Sequence, residues 1–141
     1  MNALDTNVLV RFLVQDDDQQ SQIVNTLFAA AEAHKQPLFV SSIVVLELMW
    51  VLKSAYDVPR AVILDALNEL LSLTVLEFQD QLAIRDFVVS AQDNNYDLSD
   101  LLIGQIGLYS GCKTTLTFDK KAAKSPQFTN IKGSENYSLE R

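Results

Sequence analysis

The sequence predicts a single α/β domain built on a central parallel sheet of four to five strands flanked by helices. Two observations lead there. Short apolar runs such as "LFVSS", "TVLEF" and "KTTLTF" alternate with longer stretches whose apolar residues recur at helical spacing, and strands separated by helical segments form a parallel sheet with helices on both faces. The length of 141 residues, 48% of them hydrophobic, matches one ordinary domain with a sizeable core.

The elements follow in chain order. Asn2 to Leu4 reads as a short buried strand ending at Asp5, and Asn7 is placed to cap a short helix running from Val8 to Val14. The aspartates of "QDDD", Gln15 to Asp18, suit the N-terminus of the next helix, "QSQIVNTLFAAAEAHK", which Pro37 closes before the strand candidate "LFVSS". Ser41 or Ser42 caps "IVVLELMWVLKSAY", a run that is long for a strand and is therefore read as a helix. Pro59 fits the first turn of "PRAVILDALNELLSL". The strand "TVLEF" then precedes the amphipathic helix "QDQLAIRDFVVSAQDNN". Ser99 or Asp100 opens a helix through Leu108, which Gly111 stops before the strand "KTTLTF". A short helix from Lys120 to Lys124 and an edge strand "FTNI" complete the domain, residues 1–131. The polar residues 132–141 read as a flexible tail.

Composition narrows the function classes. A net charge of -7 argues against a protein that holds nucleic acid through a broad basic surface, because such binding depends on Lys and Arg neutralising phosphates. Contact with nucleic acid would need another source of positive charge, either divalent metal held by carboxylates or a basic partner protein. Acidity can also serve solubility alone. No stretch is long and apolar enough to span a membrane, and Asp5 interrupts the apolar start where a secretory signal would continue. Cys112 is the single cysteine, so no internal disulfide forms and a cytoplasmic location is expected.

The carboxylates are the notable feature. In parallel sheets, ligands bind outside the carboxyl ends of the strands. Asp5 closes the first strand and Asp119 closes "KTTLTF", so the two share one rim if those strands are neighbours. Glu47 is the only charged residue in "SIVVLELMWVL", a helix apolar nearly all round, which implies that it is buried. Asp97 and Asp100 lie three apart and share a helix face. Each acid alone has an ordinary explanation: a turn acid at Asp5, helix caps at Asp100 and Asp119, a surface-reaching helix edge at Glu47. Together, with no Cys, His or Lys recurring beside them, they suit a hard cation such as Mg²⁺ or Mn²⁺ better than zinc.

These residues carry a resemblance. From "LDTNVLV" to "TFDKKA" the chain resembles PIN-domain ribonucleases, in particular the VapC-type toxins of bacterial toxin–antitoxin pairs. The resemblance assigns Asp5 of Asp5-Thr6-Asn7, Glu47 in the helix after the second strand, Asp100 of "DLSDLLIG" and Asp119 of Thr117-Phe118-Asp119 as catalytic and metal-binding acids. Asp97 is the alternative ligand near Asp100, which is preferred. Asn7 and Thr117 are expected to be neutral supports that orient ligands. The implied activity is Mg²⁺- or Mn²⁺-dependent hydrolysis of RNA leaving a 5′-phosphate and a 3′-hydroxyl. The implied partners are an RNA substrate, a small antitoxin with a basic segment that suits the acidic balance of this chain, and a second copy in a homodimer.

The remaining candidates are weaker. His34, the sole histidine, sits at an expected helix end in "EAHKQP" and reads as a solvated cap rather than half of a general acid–base pair. Trp50 and the Phe and Tyr residues read mostly as core or subunit contacts, and Arg11, Lys53, Arg85, Lys113, Lys120 and Lys121 read as solvated or as lining an RNA path. A phosphatase of the haloacid dehalogenase type would want an Asp where Asn7 stands, and a receiver domain would want acidic neighbours beside the first strand. A catalytically silent α/β interaction module is the alternative from another class, against which the full set of acids counts.

Overall fold

The computed structural model describes residues 1–133, and the chain divides into two compact units, Met1–Gln81 and Leu82–Arg141. Among the described residues there are six α-helices and four short strands. All strand pairing is parallel, as the alternation of strands and helices requires.

In the first unit, β1 (Leu38–Val40) pairs with β2 (Leu76–Phe78), with Leu38 opposite Leu76 and Val40 opposite Phe78. The N-terminal segment joins β1 through one parallel bridge, Ala3 to Phe39, with Leu4 N–H donating to the Phe39 carbonyl at 2.9 Å and Phe39 N–H to that of Asn2 at 2.8 Å. It is not a full strand, because Asp5 turns the backbone at once into α1 (Thr6–Leu13). The Asp5 carboxylate accepts from Thr6 N–H at 2.8 Å, so Asp5 rather than Asn7 is the cap, and the helix starts two residues earlier than expected.

Helix α2 (Asp18–Ala33) is capped by Asp17, which accepts from Gln20 N–H at 3.0 Å, and ends at the exposed His34. The connection from α1 is tied by Arg11, which bonds Asp16 at 2.5 Å and Gln20 at 2.7 Å and reaches the Tyr56 hydroxyl at 3.3 Å. Arg11 is thus engaged in a structural clip rather than an RNA path. Ser41 caps α3 (Ser42–Ser54), accepting from Val44 N–H at 3.2 Å, and α4 (Arg60–Ser72) follows Pro59. Val45, Leu48, Met49 and Leu52 form the buried stripe of α3 at the spacing i, i+3, i+4, i+7. Each such side chain contributes about 1.5–3 kcal/mol by its burial.

The second unit holds α5 (Gln81–Ala91, whose first residue closes the first unit), α6 (Leu98–Tyr109) and β3 (Thr115–Thr117), paired with β4 (Phe128–Asn130). Asp97 caps α6, which therefore opens at Leu98, just before the expected start. Gly111 stops the chain after α6 with φ +91°, a conformation that needs glycine. The helix expected from Lys120 is a single 3-10 turn, Ala122–Lys124. In place of one sheet of four to five strands, the described residues form two two-stranded parallel sheets, β1–β2 and β3–β4. Three-residue strands leave little ladder to extend, which is the physical reason that apolar runs in the sequence overstate the sheet. Of the expected tail 132–141, Lys132 and Gly133 belong to a 3-10 turn and residues 134–141 lie outside the described residues.

Candidate metal centre

In the first unit the parallel register fixes a rim. Ala3, Phe39 and Glu77 stand side by side, so Asp5, Ser41 and Gln79 each lie two residues beyond that level at the carboxyl ends. Gln79 accepts from Ser42 N–H at 3.0 Å, and the Ser42 hydroxyl donates to Asp80 at 3.1 Å, which ties the start of α3 to the end of β2. Asp80 takes a positive φ of 52° to do so, a left-handed geometry that aspartate tolerates better than most residues. The Asp5 side chain is exposed, and Asn7 is exposed beside it. Between them Thr6 is buried, and its hydroxyl has no hydrogen-bond partner among the described residues.

Glu47 is exposed, which corrects the expectation that it is buried. The reason is helical phase: Ile43, Glu47 and Trp50, spaced i, i+4, i+7, form the face opposite the Val45–Leu52 stripe. A helix apolar all round need not be covered all round. Trp50, 65% exposed, is likewise not a core residue.

In the second unit Asp97 and Asp119 both act on Asp100. Asp97 accepts from Asp100 N–H at 3.0 Å, and the Asp100 carboxyl is pushed above the usual carboxylate range first by burial, then by the negative charges of Asp97 and Asp119. Asp97 is the exposed cap and Asp100 the half-buried member, which separates the two roles that spacing alone left joined. Asp119 accepts from Lys121 N–H at 2.8 Å and Ala122 N–H at 3.2 Å, while its own N–H donates to the Thr117 hydroxyl at 2.9 Å. Thr117 therefore supports the turn that presents Asp119. Gly104 and Gly107 let α6 approach the strands: a Cβ on Gly104 would lie 2.8 Å from both Gln127 Oε1 and the Phe128 ring, and one on Gly107 3.0 Å from Thr115 Oγ1.

The donor set is carboxylate oxygen throughout, which suits a hard divalent cation. Burial first, and then the charges of Asp97 and Asp119, raise the Asp100 carboxyl, and a cation beside it would relieve the part due to charge. Within neither unit do three His, Cys, Asp or Glu side chains of the described residues lie close enough to form a metal-holding group. Sequence reasoning passed over Thr6, Ser42, Gln79 and Asp80. The signal for the last two was the polar pair "QD" directly after "TVLEF", in the same position relative to its strand as Asp5.

No helix among the described residues is long and apolar enough to cross a membrane. No curated protein matches the sequence. The family model of the PIN domain matches residues 3–126, nearly the whole chain, and its members are in general metal-dependent nucleases. The chain belongs to the PIN-domain family.

Proposed function

We propose that this chain is a cytoplasmic, Mg²⁺- or Mn²⁺-dependent endoribonuclease, with residues 1–131 as one nuclease domain, and that it is the toxin of a toxin–antitoxin pair. The observation that carries the nuclease reading is the family match over residues 3–126, and the acids that the resemblance assigns support it: Asp5 at the cap of α1, Asp119 after β3, Glu47 on α3 and Asp100 in the first turn of α6. Asp5, Glu47, Asp100 and Asp119 are assigned to hold the cation, with Asp97 as an outer member. When bound there, a divalent cation would supply charge neutralisation at the phosphodiester and would lower the pKa of a water molecule. The chain's own residues do the positioning. Thr117 and the Lys121 and Ala122 amides fix the Asp119 carboxylate, Asp97 fixes the start of α6 under Asp100, and Gln79 with Asp80 fixes the start of α3 one turn before Glu47. Asn7, exposed after Asp5, is assigned to orient a ligand or water.

The toxin reading rests on the likeness to VapC-type chains and on the charge of -7, which suits neutralisation by a small antitoxin with a basic segment. A homodimer is part of the same reading. The test is incubation of end-labelled RNA with the protein in Mg²⁺, in Mn²⁺ and in EDTA, alongside the variant Asp119→Asn. Metal-dependent internal cleavage by the wild type and its loss in the variant is the expected result. Equal cleavage in EDTA, or by both proteins, refutes it. Growth arrest on expression, relieved by co-expression of a small antitoxin gene sought beside this one, tests the toxin assignment separately.

A further inference from the structure

The charge of this chain is unevenly distributed. Residues 1–112 carry fifteen acidic against five basic residues, whereas residues 113–132 carry Lys113, Lys120, Lys121, Lys124 and Lys132 against Asp119 alone. All five lysines are exposed, and none forms an ion pair with another described residue. A chain that is net negative thus presents one local segment of net +4.

Topology concentrates this charge further. Because β3 and β4 are parallel and Thr117 stands opposite Asn130, the chain leaves both strands at the same end of the sheet, from β3 into the turn that holds Phe118 to Lys121 and from β4 into the 3-10 turn Ile131–Gly133. Lys132 therefore comes to the same end of the sheet as Lys120 and Lys121. Phe118 lies at that end, 67% exposed, a large aromatic side chain that no core claims. Its backbone is fixed on both sides. Thr117 Oγ1 and the Asp119 carboxylate hold the following turn, Ala123 N–H donates to the Asp119 carbonyl at 3.0 Å, and the Tyr96 hydroxyl donates to the Lys124 carbonyl at 3.0 Å. The Thr114 and Thr129 hydroxyls, 2.8 Å apart, join the two strands at their other end.

We propose that this end of the β3–β4 sheet is a binding platform for single-stranded RNA, on which Phe118 stacks an unpaired base and Lys120, Lys121 and Lys132 neutralise the flanking phosphates. An exposed aromatic ring set among cations, on a backbone already ordered, is what a sequence-tolerant strand platform requires. Stacking needs a free base face, so an RNA duplex binds this platform poorly. The inference rests on the nuclease reading only for the nature of the polyanion, and its test does not need cleavage.

Fluorescence anisotropy of a labelled, unstructured oligoribonucleotide, in EDTA and across a salt series, provides that test. Phe118→Ala weakens binding roughly tenfold with an unchanged salt slope, while Phe118→Trp keeps it. The pair Lys120→Gln, Lys121→Gln lowers the slope of log affinity against log salt by about 1.4, from ~0.7 per charge on a single strand. Thermal melts equal to wild type, expected for exposed positions, confirm that the variants fold. Unchanged affinity in Phe118→Ala and an unchanged slope in the lysine pair overturn the proposal, even if the wild type cleaves RNA when metal is added. Displacement of the oligonucleotide by poly-glutamate as readily as by unlabelled single strand also overturns it, in favour of an acidic polypeptide. Binding that depends on Phe118, in a protein that never cleaves RNA, supports the platform and refutes the nuclease reading instead.

Discussion

Gly104→Ala is the most informative single methyl group that can be added to the second unit. The new Cβ would sit 2.8 Å from Gln127 Oε1, 3.2 Å from Gln127 Cβ and 2.8 Å from the Phe128 ring. Gln127 is only half-buried and can swing aside, with loss of its 2.5 Å bond to Gln105, but the Phe128 ring is buried and cannot. Overpacking of this kind costs about 1–3 kcal/mol, and replacing a helix-interior glycine by alanine returns about 1 kcal/mol of helix propensity. The sum is a destabilisation of about 0–2 kcal/mol, or a Tm lowered by up to roughly 6 °C for a chain of this length. Gly107→Ala serves as the comparison, because its single close neighbour is the Thr115 hydroxyl at 3.0 Å, so packing and propensity nearly cancel. Calorimetric melts of the three proteins decide the matter. A Gly104→Ala protein that melts above the wild-type temperature would show that α6 does not approach β4 as closely as described.

Three further outcomes are expected. Asp100 holds its proton to higher pH in the folded chain than in the unfolded one, so its ionisation removes stability as pH rises from the ordinary carboxylate range through the raised value; Asp100→Asn therefore raises Tm at pH 7 and leaves it unchanged near pH 3, and equal gains at both would exclude the charge explanation. Glu47→Gln leaves metal-free stability within about 0.5 kcal/mol, since the side chain is exposed, yet abolishes metal-dependent cleavage in the RNA assay. Asp17→Ala removes the bond to Gln20 N–H and lowers stability by about 1 kcal/mol in a denaturant titration, a loss that Asp17→Asn does not reproduce.

Helices were legible in the sequence because their signals are local. Asp17, Ser41 and Pro59 announce α2, α3 and α4, and a Gly at position 111 follows α6. What failed were features that depend on partners distant in sequence. A run such as "KTTLTF" looks like a full strand, but its ladder is limited to Thr115–Thr117 by the length of "FTN" opposite it. Glu47 read as buried because the composition of α3 is apolar on every side, while exposure is decided by which face meets neighbours. Asn7 and Asp5 are equally good caps by type, and only the bridge at Ala3 shows where the chain must turn. Among the acids, the pairing of Asp97 with Asp100 was visible in their spacing. The influence of Asp119 on Asp100 was not, because it arises from the folding of β3 beside α6.

The proposed metal binding is probed at one acid of each unit, Asp5 in the first and Asp119 in the second. Isothermal titration of Mn²⁺ into the wild type, Asp5→Asn and Asp119→Asn measures it without reference to any RNA. Asparagine caps as well as aspartate, so each variant keeps its local hydrogen bonds at Thr6 and at the Asp119 turn and should melt like the wild type. Each substitution is expected to weaken Mn²⁺ binding by at least tenfold. Wild-type affinity in both folded variants would contradict the proposed metal binding.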